Sequence, residues 1–443
     1  MSFWHLLNIA SLLGHSVDSD EIASGLSTDT RTLEPGQIFL AIRGEHHDAH
    51  DHIEEAARKG AVCAIVERPV GCDLPALQVD STLDALHTLA RAYRHHLGAR
   101  VVAITGSNGK TTTCRLTHAA MNDPKSTHAP RDSFNNHIGV PLTILSAPER
   151  ARTIICELGT SSPGEIALLS RLIQPDIAAI TSIGRAHIEG LGSIEGIIEE
   201  KSSIIEGLAP DGVVLIPGSL RERFGSEPRA HVVEHELVET TPESTTFHVE
   251  PLGELTIPLT GVHNASNASV AATIAHLLGT SHDAIRAGLS GAAPPPMRLA
   301  RHELVDLTLI NDAYNANPES TRASIESFVT ICPDAARRVL VLGDMLELGA
   351  HADDAHSQIG DVVAAHDIDV LITIGEVSRH ASASAIHTRP TLTAHHINTL
   401  DDDALETIIT ALSPGDAVLL KGSRSMRLER IEQKLRQRAS AAP

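Results

Sequence analysis

Two hydrophobic periods alternate along the chain. Short apolar runs at 37–42 and 61–67 predict strands, and the stretch 51–59 between them predicts a helix. From residue 101 the runs lengthen and become rich in β-branched residues, at 101–105, 153–157, 177–183 and 213–216, with helical segments between them. Strands that alternate with helices predict a parallel sheet covered on both faces. Residues 245–250 and 254–259 alternate apolar with polar and predict a small antiparallel appendage, and 264–278 predicts an amphipathic helix. Ala-Ala-Pro-Pro-Pro at 292–296 cannot continue a helix or a central strand and marks a boundary. Beyond it a second α/β alternation predicts strands at 304–310, 338–342, 370–374 and 417–420. The expected architecture is α/β in three domains, 1–98, 99–293 and 294–443.

Composition narrows the function classes. Lys and Arg number 35 against 56 Asp and Glu, a formal net charge of −21, which repels nucleic acid and anionic membrane, so a phosphate site must be made locally. The five cysteines form no Cys-x-x-Cys pair and suit a reducing, cytoplasmic setting. No apolar run reaches membrane-spanning length, so membrane insertion is not expected.

Chemistry concentrates first at Gly106, Ser107, Asn108, Gly109, Lys110, Thr111 and Thr112. An apolar strand ends in Thr105, a turn bracketed by glycines follows, and Lys110-Thr111 opens a helix. Backbone N–H groups and the positive end of a helix dipole face an anion there. The lysine adds a point charge, and the threonine hydroxyl suits Mg²⁺. The common phosphate-loop spacing needs glycine at position 104, which is Ile104. That departure, and the lack of an Asn-Lys-x-Asp motif, argue against a phosphate-loop GTPase or kinase-like regulator.

Ligands of open parallel sheets gather at the carboxyl ends of strands. The next strand ends at Glu157, the third leads to His187, and a helix then carries Glu199-Glu200-Lys201. Oxygens of Thr111 and Glu157 with a nitrogen of His187 would suit Mg²⁺ beside a triphosphate. Each residue alone reads as a solvated strand end or loop; their conjunction beside a glycine loop favours a site and argues against a non-catalytic scaffold. In the last domain Asn311-Asp312-Ala313-Tyr314-Asn315-Ala316-Asn317-Pro318 follows a strand. Such residues make turns, but one of only two tyrosines in the chain stands in this polar loop, which suits stacking on a ring or contact with a ribose.

Together these residues resemble the Mur ligases, the ATP-dependent amide-forming enzymes of peptidoglycan precursor synthesis. Ser27-Thr28-Asp29-Thr30-Arg31, Pro35-Gly36-Gln37-Ile38-Phe39 and Asp48-Ala49-His50-Asp51 are similar to the family's uridine-nucleotide module, and 105–111 to its own phosphate loop, which accounts for Ile104. Phe134-Asn135-Asn136 is similar to a substrate-facing segment, and Gly261-x-His263-Asn264 with Asn267 to a helix start near adenine. Gly343-Asp344-Met345, Glu347-Leu348-Gly349 and Lys421-Gly422-Ser423-Arg424-Ser425-Met426 complete the pattern, and Arg298 stands where the family supplies an arginine to the phosphates.

The resemblance implies an N-terminal uridine-nucleotide-binding α/β domain, a central parallel-sheet ATPase-like domain with the glycine-rich loop, and a C-terminal Rossmann-like α/β domain. It implies ATP and Mg²⁺ as cofactors, with UDP-MurNAc-tripeptide and D-alanyl-D-alanine joined through an acyl phosphate by a cytoplasmic monomer. Lys110, Glu157, His187 and Lys201 would be catalytic; Thr111, Glu157, His187 and Lys201 would hold the metal, with Lys201 at the position the family carbamylates. The phosphate loop with Asn267, Arg298, Asp312 and Tyr314 would bind the cofactor, and Thr30, Arg31, Asn135 and Asn136 the substrate. Two departures stand out: Thr160-Ser161-Ser162 where Ala-Asn-His is frequent, and Met297 where glycine precedes the arginine. The alternative is another amide ligase of this fold, the tripeptide-forming enzyme or folylpolyglutamate synthase. The absence of Asp-Asn-Pro-Arg counts against the former, and the uridine module against the latter.

Overall fold

A computed structural model describes residues 2–44, 47–130, 133–224 and 227–441. Its sheets fall into three α/β domains. The first sheet is wholly parallel, in the order β1 (Leu26–Ser27), β2 (Ile38–Leu40), β3 (Cys63–Val66), β4 (Ala76–Gln78). The helix Thr82–Leu97 follows, capped by Ser81 and ended by left-handed Gly98.

The central sheet holds β5 (Arg100–Thr105), β6 (Thr127–His128), β7 (Thr153–Glu157), β8 (Ile177–Ile180), β9 (Val213–Pro217) and β10 (Ala230–Val233), ordered β10-β9-β8-β5-β7-β6 and parallel throughout. β5 lies between β8 and β7, so successive crossovers leave it in opposite directions. A crevice opens at the carboxyl end of such a strand, and the phosphate loop sits there. The third expected strand ends at Ile180, short of residue 183. β11 (Glu236–Thr240), β12 (Thr245–Val249) and β13 (Gly253–Ile257) form the antiparallel appendage. The helix Val262–Leu277 is not amphipathic. It is buried on nearly all sides, its Ala and Ser residues packing closely against the helix Lys110–Met121 and the β12 region.

In the last domain the stretch expected as one strand at 304–310 divides: 304–307 is a turn, and 308–310 opens β15 (Thr308–Asp312), which pairs antiparallel with β14 (Ala300–Glu303). Val305 in that turn is 71% exposed, and the Leu304 N–H donates to the Leu307 carbonyl. With β16 (Arg337–Gly343), β17 (Val370–Ile374), β18 (Thr393–Ile397) and β19 (Asp416–Lys421) the order is β14-β15-β19-β16-β17-β18, parallel apart from β14.

The cores ignore the domain boundaries. One apolar cluster runs from Phe3 and Trp4 through Tyr93 to Val101 and Ile154, and the Tyr93 hydroxyl donates to the Ala147 carbonyl at 2.8 Å. Another joins Ile188, Leu191 and Ile197 of the central domain to Ile310 and Leu340 of the last. These continuous cores set the three domains around one crevice. Among the described residues no helix is long and apolar enough to cross a membrane.

Candidate active site

The crevice is a cavity of about 430 Å³ lined by Ser107, Asn108, Gly109 and Lys110 from the phosphate loop, by Glu157 and His187 from strand ends, and by Arg298, Asp312, Tyr314 and Lys421 from the last domain. Local geometry dictates the glycines. Gly106 (φ +152°) carries no side chain because a Cβ would lie 2.0 Å from Thr181 Oγ1; at Gly109 (φ +84°) it would lie 2.3 Å from Asn267 Oδ1. Ile104, where the common loop has glycine, is a fully buried residue of β5, so this loop turns later. The loop is tied to the segment after β8: the Ser107 and Asn108 N–H groups donate to the Ser182 carbonyl and hydroxyl at 2.9 and 2.8 Å. The Lys110 Nζ donates to the Gly106 carbonyl at 2.9 Å, and burial pushes its ammonium below the ordinary lysine value, against the pull of Glu157.

Thr111 and Glu157 meet directly. The Thr111 hydroxyl donates to Glu157 Oε2 at 2.7 Å and accepts from the Arg298 guanidinium at 2.9 Å. Asn135 donates to the other carboxylate oxygen at 2.8 Å. Asn136 serves its own turn: its side-chain oxygen accepts from the Ile138 and Gly139 N–H groups, at the start of the helix Gly139–Leu145.

Of the four residues expected to hold the metal, Thr111 and Glu157 touch, and among the described residues neither His187 nor Lys201 hydrogen-bonds to them. His187 lines the same cavity, and its Nδ1 lies 2.5 Å from the Glu347 carboxylate without hydrogen-bond alignment. The two residues are left-handed, at φ +60° and +62°, a backbone state that costs non-glycine residues free energy and collects at functional sites. The nearby imidazole holds the Glu347 carboxyl below the usual range. Lys201 is fully buried and forms no side-chain hydrogen bond or ion pair with any described residue. Burial pulls its ammonium down to about 7, the charge of Lys110 acting the same way and that of Glu200 opposing it. Glu200 itself accepts from the Gly164 and Ile166 N–H groups at 2.6 and 2.8 Å, capping the helix Glu165–Ile173. Among the described residues no three His, Cys, Asp or Glu side chains cluster to hold a metal. The Thr111 hydroxyl beside the Glu157 carboxylate still fits Mg²⁺, which takes hard oxygens, commonly one or two carboxylates plus substrate phosphates.

Arg298 arrives from the last domain on a strained turn. Met297 (φ +55°) and Leu299 (φ +51°) flank it, each in a left-handed state that costs about 1–2 kcal/mol. The glycine-type backbone therefore persists with Met297 in place of glycine. Met297 and Leu299 pack into different apolar clusters of the last domain, and Leu299 N–H donates to Asp312 Oδ1 at 3.1 Å. The Arg298 guanidinium lies over the Tyr314 ring, 4.3 Å from its centroid. Asp312 pairs with the buried Lys421 at 2.9 Å.

Several contacts of the site, and Arg185, Glu319 and Thr181 as its residues, were not anticipated. Asn317 and Asn108 exchange side-chain amide hydrogen bonds between the last domain and the phosphate loop, and Arg185 pairs with Glu319 at 3.2 Å. Thr181 packs under the loop. Lys421 closes β19, so the rule of strand carboxyl ends would have found it. Asn267 lies against Gly109 and Thr113. Thr30 and Arg31 line no part of this cavity; Thr30 is buried, and the exposed Arg31 pairs with Asp29 at 2.7 Å. A second cavity of about 350 Å³ adjoins the first at His187, Asn315 and Asn317, with Glu347, Ser423, Arg424 and Ser425 on its walls.

Comparison with known proteins places this geometry in a family context. Models of the Mur ligase family, catalytic domain, of the Mur ligase middle domain and of the Mur ligase, glutamate ligase domain match residues 23–94, 104–275 and 297–424. The UDP-N-acetylmuramoyl-tripeptide–D-alanyl-D-alanine ligase of Bacillus subtilis is 38% identical, over 93% of this chain and 92% of its own. The crystal structure of MurF from Acinetobacter baumannii superposes with a TM-score of 0.85 at 29% identity, over 98% of this chain and 99% of its own. A MurF ligase from Thermotoga maritima in complex with ADP has a TM-score of 0.79 at 26% identity, covering 95% of this chain and 100% of its own.

Proposed function

The chain belongs to the Mur ligase family, and on that footing we propose that it joins D-alanyl-D-alanine to UDP-N-acetylmuramoyl-tripeptide, converting ATP to ADP and phosphate. The observation that carries this reading is the Thr111–Glu157–Arg298 constellation beside the phosphate loop, built from two domains around one cavity. It suits charge neutralisation, which is what phosphoryl transfer to a carboxylate needs.

The γ-phosphoryl group passes to the terminal carboxylate of the tripeptide, giving an acyl phosphate and ADP. The dipeptide amine attacks the acyl carbon, phosphate leaves, and an amide forms. Lys110 and Arg298 screen the two anions that must meet. Thr111 and Glu157 would hold Mg²⁺, which would supply further neutralisation of phosphate charge. Asn135 fixes the Glu157 carboxylate. The adjoining cavity suits a zwitterionic dipeptide: Arg424, Ser423 and Ser425 offer donors to its carboxylate, and Glu347 offers its ammonium a counter-charge near the first cavity.

Lys201 fits a carbamylated lysine. An amine with its protonation pulled to about 7 holds a substantial neutral fraction near neutral pH, and a neutral nitrogen can add to CO₂ and release a proton. The product replaces a buried cation near Lys110 with a carboxylate, exchanging repulsion for attraction. His187, turned toward Glu347, acts in this reading from the rim between the two cavities. The protein works as a monomer in the cytoplasm, and Thr30 and Arg31 serve the uridine end of the substrate.

The test is the product. Incubation with ATP, Mg²⁺, the tripeptide nucleotide and D-alanyl-D-alanine yields a nucleotide heavier by one dipeptide less one water, read by mass spectrometry. An unchanged nucleotide mass under conditions where ADP accumulates contradicts the proposal.

A further inference from the structure

Tyr314 is expected from its place in a polar loop to meet a ring or a ribose. In the structure one face of its ring is already covered by the Arg298 guanidinium, 4.3 Å from the centroid. Both residues belong to the last domain, so this contact forms without the phosphate loop. Three further features fix the same arginine. Met297 and Leu299 on either side are left-handed and anchored in separate apolar clusters, which forces Arg298 out between them. The Tyr314 N–H donates to the Met297 carbonyl at 3.3 Å, and Asp312, two residues before Tyr314, accepts from the Leu299 N–H. The loop 312–314 and the turn 297–299 thus grip each other by backbone and by ring. A flexible arginine would lose rotamer freedom on meeting a polyphosphate; one clamped beforehand has already lost it.

We propose that Tyr314 is a positioning residue for Arg298: its ring holds the guanidinium in a preformed finger that domain contact delivers to Thr111 and the polyphosphate, and it is not a platform for the base. This rests on the reading that the cavity holds a nucleoside triphosphate. Arg298 reaches Thr111 Oγ1 at 2.9 Å from this clamped position. The ring supplies a negative face to a half-buried cation, where such contacts are stronger than at the open surface.

The experiment compares Tyr314→Leu, Tyr314→Phe, Arg298→Gln and the double variant Tyr314→Leu/Arg298→Gln in steady-state phosphate release, with melting temperature as the check of folding. Tyr314→Leu lowers kcat about tenfold and moves the KM for ATP less than about threefold, and Tyr314→Phe, which keeps the ring, stays within about twofold of the parent. In the Arg298→Gln background, Tyr314→Leu costs less than about twofold. Calorimetry runs in parallel without turnover: Tyr314→Leu weakens a non-hydrolysable ATP analogue and leaves AMP unchanged. Losses that multiply in the double variant, a Phe variant as impaired as Leu, or equal weakening of AMP and the analogue overturns the proposal. A parent chain that releases no phosphate overturns the ligase reading instead, and the calorimetry still decides the role of Tyr314.

Discussion

Asn317 Nδ2 donates to Asn108 Oδ1 at 2.7 Å, tying the first turn of a helix in the last domain to the phosphate loop of the central one. Asn317 is also the N-cap of the helix Pro318–Ile331: its Oδ1 accepts from the Ser320 N–H at 2.9 Å in a capping box. One side chain therefore serves local and interdomain structure together.

The two roles separate by mutation. The link joins two domains across the cavity, so an ATP analogue bound between them is expected to compact the molecule; Asn108→Ala leaves the cap intact and removes the link, so melting changes little while that compaction weakens. Asn317→Ala loses both, with an added loss of stability of about 1 kcal/mol. Small-angle scattering with and without the analogue, beside denaturant melts, checks this. Equal compaction in both variants and the parent removes the linking role.

Lys110→Ala is expected to lower kcat by about 10²–10³ with the melting temperature unchanged or raised. The sign on stability follows from burial, since its ammonium is held below its ordinary value and charging it costs the folded state. Phosphate-release kinetics beside calorimetric melting test the pair of outcomes, and near-parent turnover removes Lys110 from the chemistry.

Gly109→Ala meets two obstacles at once, φ +84° and an approach of 2.3 Å to Asn267 Oδ1. Destabilisation of about 2 kcal/mol is expected, with loss of nucleotide affinity. Unfolding in urea and nucleotide titration measure both. A stable, nucleotide-binding Gly109→Ala would mean that the loop does not turn here.

Lys201 makes a prediction in pH. Its folded pKa, about 7, lies below its ordinary value of 10.5, so between these limits the unfolded chain binds the extra proton. Stability contributed by this group therefore rises with pH from about 7 towards 10.5, and below 7 the folded state bears the full cost of a buried charge. Lys201→Met removes that slope and is more stable than the unmodified parent at pH 6, though inactive. Carbamylation makes a separate claim: Lys201→Ala regains part of its activity with short carboxylic acids. An intact mass without added CO₂ in the native protein, together with no rescue, counts against it.

The sequence period located the long strands because β5, β7, β8 and β9 are buried on both faces and must be apolar throughout. It missed strands of two or three residues, such as β1, β4 and β6, which are too short to show a period. It missed β14 and began β15 too early, since Leu304 and Val305 extend the apolar run back through the turn. Glu157 was legible because it ends β7, and Thr111 because it opens the helix behind the glycine turn that follows β5. The His187–Glu347 contact was not, because it joins separate domains and neither residue's local pattern contains the other. Tyr314 was legible as unusual, but its partner lies across a turn whose left-handed backbone no residue type announced.

The most direct measurement is the rate of phosphate release from ATP and Mg²⁺ with UDP-N-acetylmuramoyl-tripeptide present, with and without D-alanyl-D-alanine. The account predicts sustained release only when both peptide substrates are present. The same rate without D-alanyl-D-alanine would contradict it.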